Sequence, residues 1–167
     1  MHGNRRAKSS EYGQQLREKQ KVKRVYGIME TPFRNLFDKA VRERGITSEV
    51  FFGKLEKRLD NVVYRMGFAA SRQEAKQVVR HNHILVNGKK VNIPSAELAV
   101  GDTVSIKDSS RELQVVKNAV DHYQKRPALR WVEVDHTKFV GKITAEPTRD
   151  DVGIAVKDRL IVELFSK

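Results

Sequence analysis

The sequence predicts an α+β chain: a helical domain joined to a small domain in which helices pack on a mainly antiparallel sheet. Three observations predict it. Up to Arg80, apolar side chains recur at i, i+3, i+4 and i+7, the period of amphipathic helices. From Ile84 onward short alternating runs take over, separated by Asn-Gly and Gly-Asp pairs that favour tight turns. At 167 residues the chain is also long enough to bury two small cores.

The first ten residues, MHGNRRAKSS, offer nothing to bury and read as a basic arm. Arg5, Arg6 and Lys8 are its candidate phosphate contacts, against the plainer reading of a solubilising tail. From Glu11 to Tyr26 the composition is helical, with Tyr12, Leu16, Val22, Val25 and Tyr26 as a loose apolar face. Arg17, Lys21 and Arg24 form a basic row at i, i+4 and i+7, thickened by Lys19 and Lys23. Thr31-Pro32 marks the next helix start, because proline suits the first helical position. Phe33, Leu36, Phe37, Ala40 and Val41 then form a core stripe that Gly45 ends. Thr47 or Ser48 caps a third helix, in which Phe51, Phe52 and Leu55 lead towards Leu59. Residues 1–57 are therefore expected to be helical throughout.

Residues 58–108 read as one compact module. Leu59, Val62, Val63 and Met66 make a helical stripe ended by Gly67, with Arg58, Asn61 and Arg65 on another face. Ser71 caps a second helix whose inner side is Ala75, Val78, Val79 and Asn82. Arg72, Lys76 and Arg80 repeat at i, i+4 and i+8 along it, a row of like charges that repel one another, for which a phosphate backbone offers a reason. Asn87-Gly88 then joins Ile84–Val86 to Lys89–Val91 as a type I′ hairpin, with Lys89 and Lys90 at its tip. After Gly101-Asp102 the alternation of Thr103 to Ile106 gives a third, half-buried strand.

Beyond the module, Ser109 or Ser110 is expected to cap a helix reaching Tyr123, with Leu113, Val116, Val120 and Tyr123 inward and Pro127 past its end. Trp131 to Val134 and Lys138 to Ile143 alternate as two more strands that extend the sheet. The closing segment is ambiguous: LIVELF suits a strand, but Val156, Leu160 and Leu164 at i, i+4 and i+8 suit a helix.

Composition narrows the partners. Thirty-three Lys and Arg against 21 Asp and Glu give +12, which favours a polyanion: nucleic acid first, an anionic membrane surface second. The charge lies mostly at the front, with 14 basic and 7 acidic residues in 1–57. There is no cysteine, hence no disulfide or cysteine-held zinc. No apolar run approaches the ~20 residues that cross a bilayer, and the Arg-rich start lacks the apolar centre of a secretory signal. The chain reads as soluble and intracellular, with no membrane partner.

Little points to catalysis. No phosphate-binding loop of the GxxxxGK[ST] type and no GxSxG elbow is present. His81 and His83 lack further ligands at metal spacing and read as surface or RNA-facing histidines. Neither a metal nor another cofactor is expected. Arg58-Leu59-Asp60 is similar to the triplet that holds the catalytic aspartate of pseudouridine synthases. There, however, it belongs to a larger separate domain and precedes a small hydroxyl residue and glycine. Here NVVYRMG follows, and Asp60 reads as a helix-terminus or arginine-pairing residue.

RLDNVVYRMG, SRQEAKQVVRH and ILVNGKKVN resemble the RNA-binding domain named after small ribosomal subunit protein four. LREKQKVKRVYG and LIVELFSK carry the resemblance to that protein family across essentially the whole of residues 2–167. It implies a helical domain of residues 1–57 to which about 151–167 return, and an RNA-binding domain of 58–150 around the core module 58–108. It further implies a structural, non-enzymatic constituent of the small ribosomal subunit that binds a helical junction in the 5′ domain of its RNA. Early assembly of the subunit body, translational accuracy, messenger RNA where it enters the subunit, and small ribosomal subunit protein five as a neighbour are implied with it. The expected setting is the cytoplasm, or alternatively an organellar ribosome, and the free chain is expected to be a monomer. Arg5, Arg6 and Lys8 match the family's basic arm. Arg17, Lys21, Lys23, Arg24, Arg58, Asn61, Arg65, Arg72, Lys76 and Arg80 match its RNA contacts, and Lys19, Ser71, His81, Asn87, Lys89 and Lys90 complete the candidate surface. His2-Gly3 stands at the front where family members usually carry earlier residues, so a short start is expected. Arg72 and Arg80 are expected to act on RNA with little effect on stability. The competing readings are a free-standing stress or ribosome-rescue factor built on the same module, and a generic binder of polyanions or membranes.

Overall fold

A computed structural model describes residues 10–166, and the α+β class expected from the sequence holds within them. The chain divides into two compact units, one running up to Phe51 and resuming at Gly153, the other Phe52–Val152.

In the first unit, α1 (Glu11–Tyr26) starts where the Ser10 hydroxyl accepts the Gly13 N–H at 3.0 Å and stops at Gly27, whose positive φ of 65° turns the chain out. Its buried face is Gln15, Lys19, Val22 and Tyr26, while Tyr12 is 53% exposed. The apolar face expected from Tyr12 and Leu16 is thus rotated, because the aliphatic stems of Gln15 and Lys19 pack inward. The next helix, α2 (Glu30–Arg42), begins earlier than Thr31-Pro32, after Met29. Pro32 sits within the first turn, where its missing N–H has no helical acceptor to lose. Phe33, Phe37 and Ala40 are buried, whereas Val41 lies outside the stripe. Phe51 meets Phe33 and Phe37 edge-on at 5.1 and 5.3 Å, and Phe165 lies 4.7 Å from Phe37.

The division falls inside α3 (Thr47–Glu56), ahead of the boundary expected after residue 57. The reason is long-range. Lys54 pairs with Glu97 at 3.2 Å, and the Lys57 carbonyl accepts the Leu98 N–H, so the end of α3 is tied into the second unit.

That unit contains α4 (Leu59–Arg65), α5 (Arg72–Arg80), β1 (Ile84–Val86), β2 (Lys89–Lys90) and β3 (Thr103–Ile106). It continues with α6 (Gln114–Tyr123), β4 (Val132–Asp135), β5 (Val140–Ile143) and α7 (Arg149–Val152). The sheet order is β2-β1-β3-β5-β4, with every neighbouring pair antiparallel. The later strands extend the hairpin sheet as expected. Asn87 and Gly88 take φ of 51° and 80°, the positive pair a type I′ turn requires. Register brings Ile84 opposite Ile106, Val104 opposite Gly141 and Val132 opposite Ile143, so one face is apolar. Against it pack Leu59, Val62, Val63 and Met66 of the predicted stripe, and Ala75, Val78 and Val79 of α5. Gly141 leaves room for Met66, whose Sδ would stand 2.5 Å from any added Cβ.

Two element ends differ from expectation. Helix α6 begins at Gln114, after a 3-10 turn over Asp108–Ser110. Ser110 is drawn inward to His83 Nδ1 at 2.6 Å and does not cap the helix. The ambiguous C-terminus is helical, as α8 (Asp158–Phe165) in the first unit. Leu160 and Ile161 are buried, α8 packs along α1, and Gln15 Nε2 donates to Glu163 at 3.3 Å. Among the described residues no helix is long and apolar enough to cross a membrane.

Candidate nucleic-acid interface

In the second unit the basic side chains of α4 and α5 are held by two carboxylates. Asp60, 2% exposed, accepts Lys76 Nζ at 2.8 Å and Arg58 Nη2 at 3.3 Å, and its Oδ1 takes the Asn61 N–H at 2.7 Å. Glu56, with no exposure, receives Arg65 Nε and Nη2 at 2.9 Å each in a two-pronged contact. Asn61 links the two groups: its amide nitrogen donates to Glu56 at 2.9 Å and its oxygen accepts Arg72 Nε at 2.8 Å. Arg72 also lies over the Tyr64 ring at 4.7 Å.

This geometry revises several expectations. Arg58 and Asn61 are buried and internally bonded, so they build the face from beneath and do not stand on its surface. The like-charge row of Arg72, Lys76 and Arg80 has its first two members answered from within the protein, so their repulsion alone is no argument for an outside anion. Replacing Arg72 is therefore expected to lower the melting temperature as well, where the sequence alone suggests little effect. Glu56 and Asp60 brace Arg58, Arg65 and Lys76 directly and Arg72 through Asn61, so these cations are fixed in place.

Arg80, His81, Lys89 and Lys90 are exposed, Arg80 in the last turn of α5 where positive charge also suits the helix dipole. Two neighbouring candidates are occupied in shaping the backbone. Asn87 receives the Thr103 N–H at 2.9 Å and donates to Asp102, fixing the hairpin, and Ser71 accepts the Glu74 N–H at 3.1 Å as the α5 cap. Burial holds the His83 ring below its ordinary pKa, with Lys107 and then His81 adding to the effect.

The first unit carries its own cations. Arg17, Lys21 and Arg24 are exposed on α1, with Lys21 donating to the Ala155 carbonyl at 3.0 Å. Lys19, only 8% exposed, and Lys23 instead clamp Glu30 at 3.0 and 2.8 Å. Lys23 and then Lys19 hold the Glu30 carboxyl below its usual range, against the opposing effect of burial. Helical spacing within α1 does not foretell this clamp, because Glu30 lies beyond the end of that helix. Arg5, Arg6 and Lys8 lie outside the described residues.

Among the described residues no group of three or more His, Cys, Asp or Glu side chains is placed to hold a metal. What each unit presents is a set of exposed cations on a scaffold braced by internal ion pairs, chemistry suited to phosphate contact.

The helix-and-hairpin unit is an S4-type RNA-binding domain. The chain matches the S4 domain over residues 57–104 and the ribosomal protein S4/S9 N-terminal domain over residues 1–56. It is 52% identical over 166 residues to small ribosomal subunit protein uS4 of Caldicellulosiruptor saccharolyticus, covering 99% of this chain and 80% of that protein. The proteins of the same name from Halothermothrix orenii and Trichlorobacter lovleyi are 52% and 48% identical, with the same coverage. The chain belongs to the family of small ribosomal subunit protein uS4.

Proposed function

We propose that the chain is a structural constituent of the small ribosomal subunit in the bacterial cytoplasm, acting as an RNA-binding protein and not as an enzyme. On this reading it binds a helical junction in the 5′ domain of small-subunit ribosomal RNA and holds it during early assembly of the subunit body. It also stands near messenger RNA where this enters the subunit and beside small ribosomal subunit protein five, contributing to translational accuracy. The observation that carries the reading is the exposed set Arg80, His81, Lys89 and Lys90 on a domain whose inner cations are already locked by Glu56 and Asp60. Folded RNA is recognised mainly by shape and backbone, so cations fixed in position select one arrangement of phosphates where mobile ones do not. Relatives that match across 99% of the chain also support a ribosomal role over a free-standing factor, which would share only the central module.

Arg80→Ala tests it. Affinity for a transcript of the ribosomal 5′ domain is expected to fall about fivefold to tenfold, and the salt dependence of binding to lose about one unit of slope. The melting temperature should stay put, because the side chain is exposed. A variant that melts lower but binds the transcript as the parent does would make Arg80 a structural residue and remove this face from the interface.

A further inference from the structure

Arg126, just beyond α6, has no part in the surface described so far. Its guanidinium lies over Tyr64 at 5.0 Å and over Tyr123 at 5.2 Å, and its Nε and Nη2 are closed off from solvent without a hydrogen-bond partner. Among the described residues no carboxylate pairs with it. Arg72 lies over the same Tyr64 ring at 4.7 Å, so two guanidinium groups share one aromatic ring. Arg130 close by is neutralised by Asp151 at 2.7 Å. Arg126, Tyr123 and Arg130 line an open cleft of about 620 Å³ together with Gln124, His136 and Thr144. Tyr123 is fixed there by His136, 4.6 Å away, whose Nε2 meets the Met66 carbonyl oxygen at 2.9 Å.

Two guanidinium donors shielded from water and left unfilled are costly. Ring faces offset part of that cost, but they satisfy no N–H. An anion with two acceptor oxygens in one plane satisfies both donors at once. We propose that this cleft is a second RNA contact of the same unit, beyond the segment matched by the S4 domain, in which Arg126 takes a backbone phosphate. In the free protein the tyrosine rings store the guanidinium. On binding, it swings from the rings into the cleft and presents Nε and Nη2 to the phosphate. The inference rests on the RNA-binding reading above.

The test compares full-length Arg126→Gln, Arg126→Lys and Arg80→Ala with the parent on the 5′-domain transcript, with melting of each free protein alongside. Arg126→Gln is expected to weaken binding about fivefold to tenfold and to lower the salt slope by about one, while Arg126→Lys keeps most of the slope. Melting of Arg126→Gln should be unchanged or raised, since an unsatisfied cation is removed. Parental binding by Arg126→Gln beside a weakened Arg80→Ala overturns the cleft and leaves the RNA reading intact. A drop in melting that accounts for the whole binding loss makes Arg126 a structural latch and overturns it too. If the parent shows no preference for the transcript, both readings fall together.

Discussion

Asp60→Ala is expected to lower the stability of the second unit by about 3–5 kcal/mol, the usual consequence of removing one partner from a buried ion pair. Asp60 is 2% exposed, and Lys76 and Arg58 reach it at 2.8 and 3.3 Å. Without it Arg58, itself 8% exposed, keeps its charge in a buried place with no carboxylate opposite. The Asn61 N–H loses its 2.7 Å acceptor as well. For a domain of this size each kcal/mol moves the melting temperature by about 4–8 °C, so the drop should exceed ten degrees. RNA affinity should fall further than melting alone explains, because Lys76 and, through Asn61, Arg72 lose their fixed positions. Asp60→Asn keeps the shape and an acceptor but not the charge, and should lie between. Thermal melts of the three proteins decide the matter, and parental melting of Asp60→Ala would show that water, not burial, governs the pair.

Gly67→Ala should be nearly as damaging, by a different route. Gly67 has φ of 81°, where a side chain costs about 1–2 kcal/mol. An added Cβ would also stand 2.3 Å from Tyr123 Cγ and 2.5 Å from its Cβ, a contact relieved only by moving the ring. Such overpacking adds about 1–3 kcal/mol. Because Tyr123 touches His136 and supports Arg126, the disturbance should reach the cleft. Gly67→Ala combined with Tyr123→Gly should keep the backbone strain, while the steric component, which includes the Tyr123 Cβ, disappears. Comparing urea midpoints of the double variant and of Tyr123→Gly alone therefore isolates the strain, and equal midpoints would contradict the backbone explanation.

What the sequence revealed follows the range of the interactions involved. Short-range periodicity was enough for the stripe Leu59, Val62, Val63, Met66 and for the Asn87-Gly88 hairpin, since both depend on residues a few positions apart. The end of the chain could not be decided that way. LIVELF carries both periods, and its helical form goes with its packing along α1, far away in sequence. Ser110 looked like a cap because capping is local, yet its hydroxyl is taken by His83. The candidate site shows the same division. Basic rows at helical spacing were visible, but which members are exposed depends on acids elsewhere: Glu30 for Lys19 and Lys23, Asp60 for Lys76, Glu56 for Arg65. Arg126 carried no signal at all, since its surroundings come from Tyr64 on α4 and Tyr123 on α6.

The most direct test of the proposed role is a titration of the full chain with a transcript of the 5′ domain of small-subunit ribosomal RNA, against a transfer RNA competitor, at low and near-physiological salt. Fixed cations on a braced scaffold should give a preference for the ribosomal transcript that survives the higher salt, while the nonspecific component falls away as counterions are released. Equal affinity for both RNAs, collapsing together as salt rises, would mean that the +12 charge acts alone and that neither unit recognises a folded junction.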